Sequence, residues 1–429
     1  MSPVRRAVNR TFQSLSVRNF RLYLLGQTVS VTGTWVQTLA SAWLVLELTH
    51  SGFALGLVTA MSFLPILFLG PVGGLVADRF DKRRILVGTQ TAFAALAAVL
   101  AVLVLTDTVQ VWQIYLISLA QGVVVSLDNP TRQSFVVEMV GNSDLANAIS
   151  LNSAVMTGTR VLGPAVAALL IARVGIGWCF AINAISYVAV IGGLLAMRRR
   201  DLLRSPRATR RPGGTRRGLR YVWQASELRV PLVIMTVVFA MSFNFSVLFP
   251  MLVQGPFHGD AGMLGLVFSA MGVGSLAGAL LMAHRSRPSG WLLAAGGIAF
   301  GVTSIGIGLA PDVTVAIPFL VIAGFTSIVF MITGNATIQL RSADRLRGRV
   351  MAIYSMVFLG TTAIGGPISG WVGEHAGPRF ALVAGGLVAI AMGVVASHSK
   401  AVLAPSTEVP PPLAAFTSEL AAPRERSAA

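Results

Sequence analysis

Three ionisable side chains lie inside the long apolar runs of this 429-residue chain: Glu47, Asp128 and Arg160. A charge in an apolar run is costly unless it meets water or a partner. Such residues are therefore candidates for carrying protons, holding a charged ligand or bracing helices. Glu47 lies at the end of its run, within reach of water, and reads first as interfacial. Asp128 stands near the end of its run and reads as a partner for nearby bases before it reads as a mid-depth proton site. Arg160 sits well inside its run. There it could attract an anionic group, pair with a facing polar residue, or bond to backbone carbonyls. Any chemistry that couples ion movement to another event has to run through these three residues.

Other chemistry is scarce. The only lysines, Lys82 and Lys400, are not followed by Ser or Thr, so no phosphate-binding Walker A loop is present. There is no HExxH pair and no CxxC, and the single Cys179 reads as a small core residue. His50, His258, His284, His375 and His398 all fall near the ends of apolar runs. No metal, no cofactor and no catalytic group are expected, and an enzyme is not.

The elements that position these residues follow from composition. The chain is 54% hydrophobic and 11% charged, where a soluble protein carries about 25% charge. Runs of about 20 apolar residues, each long enough to cross a bilayer, recur twelve times between polar breaks. The expected fold is an all-α membrane protein of two six-helix bundles. Its parts are an N-terminal tail over 1–19, a first bundle over 20–197 and a basic loop over 198–230. A second bundle over 231–398 follows, then an Ala/Pro-rich tail over 399–429 expected to be disordered. The fourth apolar run ends near 130 and the fifth begins near 145.

The formal net charge of +17 comes from 33 Lys and Arg against 16 Asp and Glu. If the N-terminus is cytoplasmic, only Arg173 and Arg379 fall outside and Arg160 lies within a span, so the other 30 of the 33 bases are inside. That is the positive-inside pattern. The basic excess then sets topology and touches anionic lipid headgroups, and nucleic acid is not an expected partner. The arginine-for-lysine bias points to a GC-rich bacterial genome, and so to a bacterial cytoplasmic membrane with both termini inside.

The two halves repeat. Ala77-Asp78-Arg79 and Ala283-His284-Arg285 are 206 residues apart, as are Asn129 and Asn335 with the Thr and Gln that follow each. Gly163-Pro164 matches Gly366-Pro367. The common order argues for a duplicated six-span unit whose halves meet around a central site.

The loop Gly74-Leu75-Val76-Ala77-Asp78-Arg79-Phe80-Asp81-Lys82-Arg83-Arg84 resembles the signature loop of the major facilitator superfamily, G-x-x-x-D-R-x-G-[RK]-[RK], with Asp81 where that family usually has Gly. Arg18-Asn19-Phe20-Arg21 and Glu47-Leu48-Thr49 extend the resemblance to the enterobactin-exporter and macrolide-efflux branch, over about residues 15–398. The resemblance implies a gate: Gly74 allows close helix approach, Asp78 accepts from the N-terminus of span eleven, and Lys82 and Arg83 pair with Asp128. Arg79 belongs to the same gate; for Arg79 to Arg84, topology alone is the plain alternative. Gly158 to Pro164 resembles the span-five signature of antiporter-type facilitators, with Ala167 and Ala168 replacing two glycines and a helix bend expected at Gly163-Pro164. The likeness implies export by exchange. Ser118 stands where proton-coupled relatives place an arginine, which leaves the coupling ion open.

Polar stripes at helical spacing mark the expected substrate cavity. Span one carries Gln27, Ser30, Thr34, Gln37, Thr38 and Ser41, with Trp35 and Trp43 close by. Span five carries Ser150, Ser153, Thr157 and Arg160, and span seven Asn244 between Phe243 and Phe245. Any single Ser or Thr is more simply bonded to its own helix; the span-one set suits a bulky amphipathic molecule. The expectation is a monomeric secondary transporter exporting a drug, siderophore or secondary metabolite in exchange for protons. The alternatives are an uncoupled facilitator or importer, and a non-transporting scaffold or sensor.

Overall fold

The computed structural model describes residues 12–203, 220–284 and 289–403. Among the described residues, twelve helices are long and apolar enough to cross a membrane. They are α1 (Arg18–Thr49), α2 (Gly52–Arg79), α3 (Lys82–Leu105), α4 (Val111–Gly141), α5 (Asp144–Val174) and α6 (Ile176–Leu195) in the first bundle. The second holds α7 (Ser226–Gln254), α8 (Ala261–His284), α9 (Gly290–Leu309), α10 (Val313–Arg341), α11 (Asp344–His375) and α12 (Pro378–His398). Twelve crossings bring residues 12 and 403 to one face, here the basic face, with the Asp78–Arg84 loop. The other is the opposite face.

Several helices outrun their apolar cores, because polar residues continue the turn beyond the hydrocarbon layer. The fourth span does not end near 130. Phe135, Val136, Met139 and Val140 keep a helical buried stripe up to Gly141, whose φ of 71° reverses the chain into α5. Only glycine holds that angle without strain. Side-chain caps start several helices: Ser51 accepts from Ala54 N–H, Asp81 from Arg84 N–H, Asp260 from Met263 N–H and Asp312 from Val315 N–H. Asp81, the departure from the resembled loop, is thus the N-cap of α3.

The connecting segments are more ordered at their ends than their composition suggests. Asn19 donates to the Arg198 carbonyl and accepts from its N–H, each at 3.0 Å, tying α1 to the exit of α6. Tyr221 is buried and accepts from Ala343 N–H at 3.1 Å, and burial pushes its phenol above the ordinary value. At the start of the expected C-terminal tail, Lys400–Leu403 form a helical turn that docks Val402 in the core. The basic stretch over 204–219 and the tail over 404–429 lie outside the described residues.

The two cores differ. The second bundle is filled by phenylalanines: Phe243 packs on Phe239, Phe300 and Phe330, with ring centroids 5.0, 4.9 and 6.5 Å apart. The first buries Gln27, Gln90, Asp128 and Asn183.

Candidate functional site: the space between the bundles

At the opposite face the bundles touch backbone to backbone. A Cβ on Gly370 of α11 would lie 2.1 Å from the Gly52 carbonyl oxygen of α2, and one on Gly56 would lie 2.5 Å from that of Gly366. A Cβ on Gly265 of α8 would be 2.7 Å from the Pro164 carbonyl oxygen of α5. Small residues are what allow helices to pack this closely without a hydrophobic driving force. Glu374, at the end of α11, completes the seam: it accepts from Ser51 Oγ at 2.6 Å and from Phe53 N–H at 3.0 Å, capping the N-terminus of α2. Sequence reasoning missed Glu374, although the acid stands four residues after Gly370 at the end of a glycine-marked helix.

Toward the basic face the same helices separate. A Cβ on Gly70 of α2 would meet nothing within 4 Å, and Gly74 is half-buried. Gly348, Ala352 and Ser355, one face of α11, are exposed. Asp78 makes no hydrogen bond or ion pair with any described residue, and Arg79 is exposed. On α8 the last glycine against α5 is Gly272, whose Cβ would be 3.0 Å from the Arg160 carbonyl oxygen; Gly274 and Gly278 turn to Val321 and Phe325 of α10. The space between the bundles therefore opens to the basic face and is closed at the other.

The residues expected to form a gate are partnered differently from expectation. Lys82 pairs with Glu138 of α4, not with Asp128. The reason is the longer α4, which carries Glu138 to the level of the loop and leaves Asp128 deeper in the bundle. Arg83 is buried and meets no acid: its Nε and Nη2 donate to the carbonyls of Leu194 and Leu195 at 2.6 and 2.9 Å, capping the C-terminus of α6. Asp78, Arg79, Lys82, Arg83, Arg84, Glu138 and Arg199 line a cavity of about 480 Å³ at this face.

Asp128 is 3% exposed, inside the first bundle. Its Oδ1 accepts from Thr89 Oγ1 at 2.7 Å and Gln90 Nε2 at 2.9 Å, and its Oδ2 pairs with Arg132. Glu47 is exposed at the opposite face and accepts from Trp43 Nε1 at 2.6 Å.

The polar stripe of α1 divides. Thr34 and Thr38 are exposed, Trp35 and Ser41 half-buried, and Gln27 and Ser30 buried. Gln37 is buried and accepts from Asn183 Nδ2 of α6. On α5, Ser150, Ser153 and Arg160 are exposed and Thr157 is half-buried. Asn244 is not on the cavity wall. It is 1% exposed and donates to the Ala240 carbonyl at 2.7 Å, which satisfies a group freed where α7 breaks at Phe243–Asn244. At Gly163-Pro164, where a bend is expected, α5 keeps helical dihedrals, and both residues pack, Gly163 on Trp35 and Pro164 on Gly265.

The profile of the transmembrane secretion effectors, a family of major facilitators, matches residues 9–421. The chain belongs to that family. Among its relatives is the multidrug efflux pump Tap of Mycobacterium tuberculosis, 27% identical over 91% of this chain and 97% of that one. The staphyloferrin A transporter of Staphylococcus aureus is 23% identical over 76% of this chain and 82% of that one. Macrolide efflux protein A of Streptococcus pyogenes is 23% identical over 60% and 64%. The fold matches that of a bacterial homologue of the human lysosomal transporter Spinster, in an inward-facing, unoccupied conformation. The TM-score there is 0.71 at 15% identity, covering 88% of this chain and 96% of that one. This member of the secretion effector family is thus a twelve-span membrane transporter.

Proposed function

We propose that this transporter exports an amphipathic organic compound, a drug, siderophore or secondary metabolite, by alternating access across a bacterial cytoplasmic membrane, with the basic face inside. The carrying observation is the one-sided space between the bundles. Thr34, Thr38 and Arg160 are exposed and Trp35 is half-buried beside them; the two threonines donate to the Ser30 and Thr34 carbonyls, so the wall offers hydroxyl oxygens as acceptors, a charge and an aromatic surface to one molecule. Relatives named for efflux favour the outward direction. In the cycle the glycine seam opens and the basic end closes, bringing Gly74 and Asp78 of α2 against the start of α11, with Arg79, Lys82 and Arg83 around them. The unit is a monomer among anionic lipids.

Exchange for protons is the coupling we propose, with the Asp128–Arg132 pair as the group a proton would break. A second reading, an uncoupled facilitator or importer, is favoured by Ser118 and by the lack of a carboxylate beside Arg160 among the described residues. Proteoliposomes loaded with a panel of macrolides, siderophores and dyes separate these readings. Flux driven by a pH gradient and abolished by Asp128→Asn supports antiport; flux indifferent to pH selects the facilitator. In a host lacking its own exporters, the native chain should raise resistance to at least one panel compound and Asp78→Asn should not. No protection and no flux for any compound would remove the export reading.

A further inference from the structure

We infer that Arg160 is the anchoring point for an anionic group, such as a carboxylate, on the transported molecule. The inference rests on the export of amphipathic compounds proposed above and adds the sign of the substrate's charge.

Arginines within the bundles are satisfied in two ways here. Arg83 and Arg341 are buried and donate to carbonyls, of Leu194 and Leu195 in one case and of Ala401 and Val402 in the other. Arg132 lies against Asp128. Arg160 has neither arrangement: it makes no hydrogen bond and no ion pair with any described residue. Two of the readings open from sequence, carbonyl bonding and a facing polar partner, are therefore not met, and attraction of an anion is left.

Its position supports the same conclusion. Leu162, Val166 and Leu169 form the outward apolar stripe of α5, at 65%, 37% and 58% exposure, whereas Gly163, Pro164, Ala167 and Ala168 on the other side are buried. Arg160 falls on that second side, one turn nearer the basic face than Gly163 and Pro164. It therefore stands at the closed end of the open space, about midway along α5, where water entering from the basic face makes an unpaired charge tolerable. Among the described residues no acid competes for it. Glu47 and Glu374 are at the opposite face, Asp78 and Glu138 are at the basic face, and Asp128 is held by Arg132, Thr89 and Gln90. A guanidinium so placed offers a forked pair of donors to a carboxylate, with Trp35 alongside for an aromatic body. A cation would meet only like charge at this depth.

The test uses three probes sharing one fluorophore: dansyl-glycine (anionic), its neutral amide, and dansyl-cadaverine (cationic). Binding to the purified full-length protein in nanodiscs is read by energy transfer from tryptophan. Native protein should bind dansyl-glycine about tenfold more tightly than the amide. Arg160→Gln should lose that preference while holding the amide unchanged, which also reports that the variant is folded. Arg160→Lys should keep part of it. Equal binding of dansyl-glycine and amide by native protein, preference for the cation, or a preference that survives Arg160→Gln would each overturn the assignment. Native protein that binds none of the three would overturn the amphipathic-substrate reading and this inference with it. Binding of the amide or the cation without dansyl-glycine would overturn the anion assignment alone.

Discussion

At the offset of 206 residues, Asp128 of α4 has Gly334 of α10 as its counterpart, Gln90 has Gly296, and Gln37 has Phe243. The first member of each pair is a buried polar group held by hydrogen bonds across α1, α3, α4 and α6. The second member is a glycine or a phenylalanine: Met235 fills the space beside Gly334 and Phe330 that beside Gly296. The repeat thus kept helix order but not what fills the core. The difference teaches where charge can act. Protonation or a charged ligand should perturb the bundle that holds Asp128 and Arg132 more than the one filled by phenylalanines.

The strongest challenge to that contrast is Asp128→Ala, which strands Arg132 in the first bundle. It should cost about 3–5 kcal/mol, read as a lower melting temperature of the detergent-solubilised protein. Converting the first core toward the second, with Asp128→Leu and Arg132→Met together, should recover most of that loss and abolish any pH dependence of flux. A double variant whose flux still follows pH would place the coupling elsewhere. Next in size is Phe330→Ala in the other core, at about 3 kcal/mol from lost packing. Its melting curve should shift while the pH profile of transport does not.

Smaller effects separate the two ends of the α2–α11 pair. Glu374→Gln weakens the cap on α2 and should raise the population open at the opposite face by roughly fivefold, about 1 kcal/mol. Labelling of a single cysteine placed at that seam measures this directly, since the native Cys179 is buried. Asp81→Ala should remove about 1 kcal/mol through loss of the α3 cap, seen by melting alone. Asp78→Asn should leave the stability within a few tenths of a kcal/mol of native, because Asp78 has no partner among the described residues, yet slow turnover. A large stability loss from Asp78→Asn would mean that the basic end is already latched.

Much of this was legible in the chain. Charge scarcity, twelve runs of spanning length and the 206-residue repeat specify two six-helix bundles, because each is a property of segments and needs no knowledge of neighbours. The Gly74–Arg84 loop carried the resemblance to the family for the same reason. Partner identity was not legible. Lys82 meets Glu138 because α4 continues through Phe135 and Met139, and the apolar pattern that carries it so far was visible but interrupted by polar residues. Arg83 meets carbonyls because α6 happens to end beside it. Asn244 serves a broken helix, a strain that no polar stripe announces.

Sequence alone determined the solvent of this protein, its span count and its internal duplication, since hydrophobic length is read against a bilayer of fixed thickness. It also supplied the short list of charges on which any mechanism must draw. Only tertiary structure decided which of those charges are satisfied. Arg132 and Arg160 are both arginines of spanning helices, yet one faces a carboxylate across a turn of α4 and the other faces open space. The Asp128–Arg132 pair lies within one helix, whereas the open space at Arg160 depends on how helices from two bundles meet, and the glycines that let them meet at one face also leave them apart at the other.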